Sequence, residues 1–394
     1  MLKLLVIGKK NLDQSKILGL EKYKTISLDW HTSFKNGVIY DHDAALVFNE
    51  WKPSNRIFID KIKTLKIPVM YIVDGVIDWN YLHHNWSYIK PQGTFLQPMV
   101  SDFLGVIGND QKDILSTIVP ISKIKVVGIP RLDKFKVNDE THAAKYDVLI
   151  TTPTTPYLNK ETKIQVSVAL KNLKDFFSKQ NLIANWRIRP DIASEIDVKS
   201  NFKTSLKNQI CRSKCVISFC STVIIESMLL GKPTGLLDFS NNPKLINTAW
   251  ILSGKENIPS FFDSILNPSK SLISYQNLCL NKLLYRGNSC KNLINILHQI
   301  SDKKLPYALS ENKTPNYIIQ KDSQTLDLSD YDDNVKSYIL DAYTQQNEIN
   351  AKTLQIAMTR IDEFITDTKD YKQISRQHIH SFLKRISKFI DSYK

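Results

Sequence analysis

The sequence lacks any stretch long and apolar enough to cross a membrane. A transmembrane helix needs roughly 20 consecutive apolar residues, and no such run occurs among the 394 residues. The N-terminal MLKLLVIGKK is apolar over too few residues for a signal peptide, and no small-residue cleavage site follows it. We interpret it as the first β-strand of a cytoplasmic protein, an interpretation that leaves room for peripheral contact with the inner membrane.

Cysteine is scarce, with five residues at positions 211, 215, 220, 279 and 290. Their number is odd and no two of them form a C-x-x-C pair, which argues against a disulfide framework and against structural zinc. We therefore expect buried, reduced thiols.

Basic residues outnumber acidic ones, and the formal net charge is +14. This favours an anionic partner, which could be a nucleotide, a phosphorylated or acidic sugar, or a membrane surface. The lysines are scattered along the chain, and there is no zinc-finger or RNA-recognition signature. We expect no nucleic-acid partner.

Short β-rich runs alternate with helix-length segments along most of the chain. The runs that precede a polar interval at residues 134–145 lie at residues 3–8, 43–49, 68–75, 103–108 and 123–128. The runs that follow it lie at residues 146–152, 184–190, 214–220 and 233–239. This alternation is typical of parallel sheets flanked by helices. The sequence therefore predicts two α/β domains in tandem, at residues 1–135 and 146–302.

The end of the chain is predicted to be helical. The pattern SCKNLINILHQI, after Gly287, is predicted to close the second domain, and residues 317–394 are predicted to form a separate helical segment. Its last helix, at residues 375–394, has an apolar stripe beside lysines and arginines. Such a stripe most often packs on its own protein, and the alternative is contact with a membrane surface or an assembly complex.

The stretch SFCSTVIIESMLLGKP predicts a strand, a small polar turn and a helix that ends at a glycine. Ser218, Ser221 and Thr222 lie where the strand passes into the helix, and a helix N-terminus readily binds an anion such as phosphate. The alternative is that Ser221 or Thr222 is only the N-cap. Glu226 follows about one turn into the helix, where it could reach a ribose hydroxyl or brace the turn.

Two further strand ends carry charged residues. WRIRPD brings Arg187 and Arg189 to the same side of a strand, where they could bind a phosphate or carboxylate or form an ordinary surface ion pair. In GLLDFSNNP, Asp238 ends an apolar strand, and the polar residues after it are available to cap the next helix. Asp238 is therefore not needed as a helix cap and is available for another role.

A fourth strand end is TTPTTPYLNKET, which places Glu161 in the first turn of a helix. There it either complements the helix dipole or takes part in catalysis. The carboxyl ends of parallel strands face one crevice. Hydroxyls, arginines and carboxylates at four such ends therefore favour a nucleotide-sugar site.

Several motifs resemble those of the GT-B glycosyltransferases. VVGIPRLDKF (126–135), the RxRP strand end and the S-x-C-S-T-x-x-x-E helix before GKP are similar to CDP-glycerol transferase-like and Kdo transferase-like proteins of bacterial surface polysaccharides. The spacing from Glu161 through Arg187 and Ser221 to Asp238 most resembles the retaining β-Kdo transferases of lipopolysaccharide O-antigen. The resemblance spans most of residues 1–300. Many CDP-glycerol relatives have histidine where this chain has Arg189, which favours Kdo transfer.

The resemblance implies two Rossmann-like domains that face a central cleft, with the acceptor on the first and the donor on the second. It implies transfer of Kdo from CMP-β-Kdo with net retention, with Asp238 as nucleophile and Glu161 as acid/base helper. No D-x-D cluster stands in a credible position, so we expect no metal or other cofactor. The residues that would bind the donor are Arg187, Arg189, Ser218, Ser221, Thr222 and Glu226.

The acceptor, an oligosaccharide or a lipid-linked glycan, is expected on the aromatic stretch at residues 74–88. Asp74, Trp79, His83 and His84 are its candidate contacts, and the alternative for the two histidines is that they are solvated loop residues. Two alternatives stay open. One is a GT-B enzyme that uses CDP-glycerol or a UDP-sugar, and the other is a non-catalytic GT-B scaffold that binds a glycan.

Overall fold

Aliphatic and β-branched runs form two parallel sheets in the computed structural model. The model describes residues 1–50, 52–78, 96, 99–135, 143–157, 160–239 and 245–302, which belong to one compact unit, Met1–Pro306. The first sheet has the order β2-β1-β3-β4-β5-β6. Its strands are β1 (Leu2–Ile7), β2 (Ile26–His31), β3 (Ala44–Val47), β4 (Val69–Ile72), β5 (Phe103–Val106) and β6 (Ile124–Val126).

The second sheet has the order β11-β10-β9-β7-β8. Its strands are β7 (Tyr146–Thr151), β8 (Ala184–Arg187), β9 (Ser213–Ser218), β10 (Thr234–Leu237) and β11 (Trp250–Leu252). All recorded strand pairs in both sheets are parallel. The sequence pattern predicted every strand except β2 and β11, the outermost strands on one side of each sheet.

Helices cover both sheets. The described helices are α1 (Lys10–Asp13), α2 (Pro53–Thr64), α3 (Asn109–Leu115), α4 (Lys160–Gln180), α5 (Pro190–Glu195), α6 (Leu206–Cys211), α7 (Thr222–Leu229), α8 (Ile258–Leu266), α9 (Lys270–Leu283) and α10 (Ser289–Asp302). Within the described residues, none of them combines the length and apolarity needed to span a bilayer. The five cysteines are free; three are buried, while Cys211 and Cys220 are half-buried.

Each face of the first sheet packs on a different helix, because successive strand residues point to opposite faces. Leu5 and Ile7 belong to a core that includes Phe58, Ile59 and Ile62 of α2. Leu2, Leu4 and Val6 of the same strand belong to a second core that includes Cys290, Leu293, Ile294, Leu297 and Ile300 of α10.

The position of α10 corrects the sequence prediction. The pattern SCKNLINILHQI was expected to close the second domain, but this helix packs on the first sheet. Its N-terminus is held by the first domain as well, since the Asp133 carboxylate accepts the backbone N–H groups of Ser289 and Cys290, both at 2.8 Å. The helix therefore brings the chain back from the second domain to the first.

The second sheet is also covered on both faces. The core on one face is built from residues of β7 to β11 with the apolar sides of α4 and α8, including Leu170, Phe177, Phe261 and Phe262. The opposite face carries a smaller core of Leu149, Ile210, Val216 and Leu230, beside α6 and α7.

The two domains share an apolar core of their own. Its first-domain members are Ile107, Ile129 and Leu132, and its second-domain members are Ile224, Ile225, Met228, Leu236, Ile246, Leu280, Leu283 and Leu284. Backbone contact is close here, because a Cβ atom on Gly108 would overlap the carbonyl of Leu283. The N–H of Tyr285 also donates to the carbonyl of Ile107 at 2.8 Å. The interface thus fixes how the two sheets face each other.

Removing the Asp133 carboxylate should destabilise the protein. Asp133→Ala leaves two N–H groups at the start of α10 without their acceptor, which costs about 1–2 kcal/mol of the free energy of unfolding. Urea unfolding followed by circular dichroism measures the change. Asp113→Ala, at an exposed aspartate of α3, is the matched control and should change stability by less than about 0.5 kcal/mol. Equal losses in the two variants would contradict the capping role.

Candidate functional site

A cleft of about 760 Å³ lies between the carboxyl ends of the two sheets. Loops that follow β1, β3 and β4 line it from the first domain, and loops that follow β7, β9 and β10 line it from the second. Strand order reverses at β1 and β3 and at β7 and β9, and such switch points are where open α/β sheets bind ligands. The volume also falls within the range of roughly 300–1,000 Å³ common for small-molecule sites. This cleft is the candidate site.

Charged residues of both signs line the cleft. The basic ones are Lys9, Lys16, Lys52 and Arg131, and the acidic ones are Asp13, Asp74, Asp78 and Asp238. Lys16 connects the end of α1 to the loop that follows β4, because its Nζ lies 3.2 Å from Asp13 and 3.6 Å from Asp74. Asp74, a predicted acceptor contact, therefore lies in the cleft with its carboxylate paired to Lys16.

The turn before α7 meets the first domain directly. Thr222 Oγ1 accepts the backbone N–H of Val76 at 3.1 Å. A Cβ atom on Gly75 would overlap the same oxygen, so any larger residue at that position would force the Thr222 side chain to move. Thr222 lines the cleft, and it is the member of the predicted hydroxyl group that the structure brings to the site.

The two serines of this turn have other environments. Ser221 is the N-cap of α7, and its Oγ accepts the N–H of Val223 at 3.4 Å. Ser218 is fully buried at the end of β9, and its Oγ has no hydrogen-bond partner within the described residues. Neither serine is among the residues that line the cleft.

Glu226 is buried and forms an ion pair across the domain interface. Its side chain is 8% exposed, and its Oε1 lies 2.6 Å from Nη1 of Arg131. Arg131 comes from the turn Pro130–Leu132 of the first domain and lines the cleft. Arg131 belongs to the stretch VVGIPRLDKF (126–135), but the sequence pattern predicted no role for it.

Arg187 and Arg189 are not among the residues that line the cleft. The Arg187 guanidinium donates to the carbonyls of Thr204 at 3.0 Å and Asn201 at 3.4 Å. It also lies 4.9 Å from the centre of the Phe202 ring. These contacts hold the segment that follows α5, which is a structural task.

Arg189 forms the ion pair that the sequence left open as an alternative. Its Nε donates to Asp191 at 2.9 Å, and its guanidinium lies 4.9 Å from the centre of the Tyr157 ring. Tyr157 in turn donates its hydroxyl to Asp191, and it lines the cleft. Arg189 therefore does not line the cleft itself but contacts Tyr157, which does.

Asp238 follows β10 and lies half-buried in the wall of the cleft. Its backbone N–H donates to the carbonyl of Leu252 at 2.9 Å, which fixes the start of the loop.

The thiol of Cys220 lies near carboxylates of both domains. Burial raises the pKa of this thiol well above its ordinary value, and the carboxylates of Asp78 and Asp238 raise it further. One carboxylate from each domain thus lies near the same thiol. Asp78 had no predicted role.

The remaining predicted residues divide into two groups. Glu161 is exposed in the first turn of α4, and Thr162 and Gln165 line the cleft beside it. Trp79, His83, His84 and the segment 317–394 lie outside the described residues. No group of three or more His, Cys, Asp or Glu side chains in the described ranges is arranged to hold a metal ion.

The cluster around Asp191 should make stability depend on acid pH. Burial alone would raise the pKa of Asp191, but hydrogen bonds from Tyr157 and Arg189 outweigh it and lower the pKa to about 2. A carboxyl with a lowered pKa in the folded state stabilises above its unfolded value near 4, and this contribution is lost as the pH falls toward 2. The side chain is 35% exposed, so we expect less than about 1 kcal/mol.

The free energy of unfolding of wild type and Asp191→Asn, measured in urea between pH 5 and pH 2.5, tests this. The advantage of the wild type should shrink as the pH falls. Asp175→Asn, at an exposed aspartate of α4, should show no such trend. If the difference in free energy of unfolding between wild type and Asp191→Asn stays constant over this range, the result would contradict the lowered pKa.

Solved structures with a similar fold include enzymes that act on nucleotide sugars. No protein-family model matches the chain, and no curated protein sequence matches it. UDP-GlcNAc 2-epimerase of Methanocaldococcus jannaschii, solved in complex with UDP-GlcNAc and UDP, has a TM-score of 0.53 and 14% identity over 76% of this chain and 100% of that chain. A candidate UDP-N-acetylglucosamine 2-epimerase from Listeria monocytogenes has a TM-score of 0.54 and 13% identity over 76% and 96%.

The co-structure of S. aureus MnaA with UDP has a TM-score of 0.53 and 12% identity, covering 77% of this chain and 97% of that chain. At such low identities the likeness concerns the fold alone. It agrees with the two parallel sheets and the cleft between them. The predicted fold is thereby confirmed: the chain has a GT-B fold of two Rossmann-like domains that face a cleft.

Proposed function

We propose that the chain is a GT-B glycosyltransferase that takes a nucleotide-sugar donor and serves the synthesis of a cell-surface polymer. The observation that carries the proposal is a cleft lined from both domains, with lysines and an arginine beside carboxylates. Basic side chains suit the phosphate of a nucleotide, and a carboxylate at the end of β10 suits attack on a sugar carbon. The motifs at residues 126–135 and 218–233 support the assignment to surface polysaccharides.

Within this class we propose transfer of Kdo from CMP-β-Kdo with retention. An oxygen of the Asp238 carboxylate attacks the anomeric carbon, the bond from that carbon to the phosphate oxygen breaks, and CMP leaves with the electron pair. The acceptor hydroxyl then displaces the carboxylate and gives its proton to a base. Two inversions result in retention. The position of Asp238 in the cleft wall supports this role.

The base that receives the proton has two candidates. Glu161 is the candidate from the motif spacing, although its carboxylate is exposed and stands beside the lining residues instead of among them. Asp78 is the second candidate, because it lines the cleft from the first domain and lies, like Asp238, near the Cys220 thiol. A base on the first domain suits an acceptor that binds there.

A second candidate function is chemistry on a UDP-sugar. The structures of similar fold from M. jannaschii and S. aureus were solved with UDP or UDP-GlcNAc bound. An enzyme of this kind would use the same cleft but would form no covalent bond between Asp238 and a sugar.

Asp238→Asn should abolish transfer and prevent the covalent intermediate. Loss of a nucleophile lowers kcat by roughly 10³-fold or more, while the half-exposed position should leave the melting temperature nearly unchanged. Wild-type protein is incubated with CMP-Kdo without acceptor, and its intact mass is measured. We expect a gain of one Kdo residue in the wild type and none in Asp238→Asn.

Asp263→Asn, at an exposed aspartate of α8, is the matched control and should form the adduct normally. UDP-GlcNAc is tested in parallel. Turnover of UDP-GlcNAc without any adduct would contradict Kdo transfer and support the second candidate function, chemistry on a UDP-sugar. Nucleotide binding without turnover of either donor would contradict an enzymatic role and indicate a glycan-binding scaffold.

A further inference from the structure

We propose that Arg131 binds the phosphate of the nucleotide donor and that Glu226 positions it from across the domain interface. The inference rests on the proposed function, because it assumes that the cleft holds a nucleotide. It assigns the main phosphate contact to a residue of the first domain, whereas the sequence predicted arginines of the second.

Arg131 is the arginine that lines the cleft within the described residues. Its side chain is 27% exposed, so the guanidinium is partly desolvated and yet open to a ligand. A guanidinium has five N–H donors in a planar fork that matches a phosphate. In the described part of the chain, its recorded side-chain partner is Glu226, bound through Nη1. Further donors of the fork are thus available to a bound phosphate.

Arg187 and Arg189 differ from Arg131 in their position. Arg187 donates to the carbonyls of Asn201 and Thr204, and Arg189 pairs with Asp191 over the Tyr157 ring. Both stand outside the cleft wall. Charge complementarity at the cleft therefore points to Arg131.

The arginine is held in place from two sides. Its own turn, Pro130–Leu132, begins with a proline and is anchored just beyond its end by Asp133, which caps α10. Glu226 holds the guanidinium from the second domain. Ile225 and Met228 of the same helix belong to the buried interdomain core, so the carboxylate has little freedom to follow a moving partner. A guanidinium fixed this way is ready for a ligand before the ligand arrives.

The same helix also supplies Thr222, which lines the cleft one turn before Glu226. The α7 N-terminus carries partial positive charge, and Arg131, whose charge Glu226 partly balances, presents its remaining N–H donors to the same cleft. Both features favour an anion in this part of the cleft.

Binding of CMP and of UDP, each measured by isothermal titration calorimetry, tests the proposal. Arg131→Lys keeps the charge but removes the fork, and we expect the Kd of the bound nucleotide to rise about 10- to 100-fold. Glu226→Gln should raise it about tenfold, since a neutral partner holds the guanidinium more weakly. Because Glu226 acts through Arg131, the double variant should bind no more weakly than Arg131→Lys alone.

Arg286→Lys and Glu195→Gln, both at exposed positions, are the matched controls and should leave the Kd unchanged. If Glu226→Gln does not fold, Arg131→Leu with Glu226→Leu removes both charges from the interface together and should fold. That protein keeps neither the charge nor the fork at position 131, and it should lose nucleotide binding at least as strongly as Arg131→Lys.

Three results would overturn the proposal, and they differ in what they leave standing. A wild type that binds neither nucleotide would remove the proposed function and this inference together. Nucleotide binding that is equal in wild type and Arg131→Lys would remove the inference and leave the function intact. Additive losses in the double variant would show that Glu226 does not act through Arg131.

Discussion

The apolar core between the two domains is the contact on which the site depends. Ile107, Ile129 and Leu132 of the first domain are buried against residues of α7, α9 and the strand β10. Each fully buried aliphatic side chain contributes roughly 1.5–3 kcal/mol, so the contact is strong enough to orient two sheets. Gly75 allows the loop after β4 to touch Thr222 without a clash. The carboxyl ends of both sheets consequently line one cleft.

Ion pairs fix the positions of charged side chains in the wall of the cleft. Lys16 lies between Asp13 and Asp74, and Arg131 is paired with Glu226. In a partly desolvated cleft these pairs interact more strongly than they would in water. They hold cationic groups in place while leaving donors for a ligand. Fixed donors of this kind stabilise charge that develops on a leaving phosphate, because they need not reorganise during the reaction.

The sequence predicted the strands and the strand ends well, because hydrophobic runs closed by polar residues are local patterns. It placed Asp238 and Thr222 correctly at the cleft wall only through the general rule for parallel sheets. It could not show which sheet α10 covers, since an amphipathic period reveals an apolar face but not its partner. Arg187 ends β8 and Arg189 lies beyond it, and their contacts with Thr204 and Asp191 are tertiary, so the local pattern could not predict them. Arg131 was missed because its partner is 95 residues away.

The ion pair between half-buried Arg131 and buried Glu226 needs an explanation other than stability. Desolvation of two charges costs about as much as their attraction returns, and well-packed apolar residues in their place would often be equally stable or more so. The surrounding core already contains isoleucine, leucine and methionine that could fill such a space. A chain under selection for stability alone would gain little from keeping the pair. A chain that must hold a planar cationic fork at the wall of a cleft needs an anion behind it, and the position of Glu226 meets that requirement.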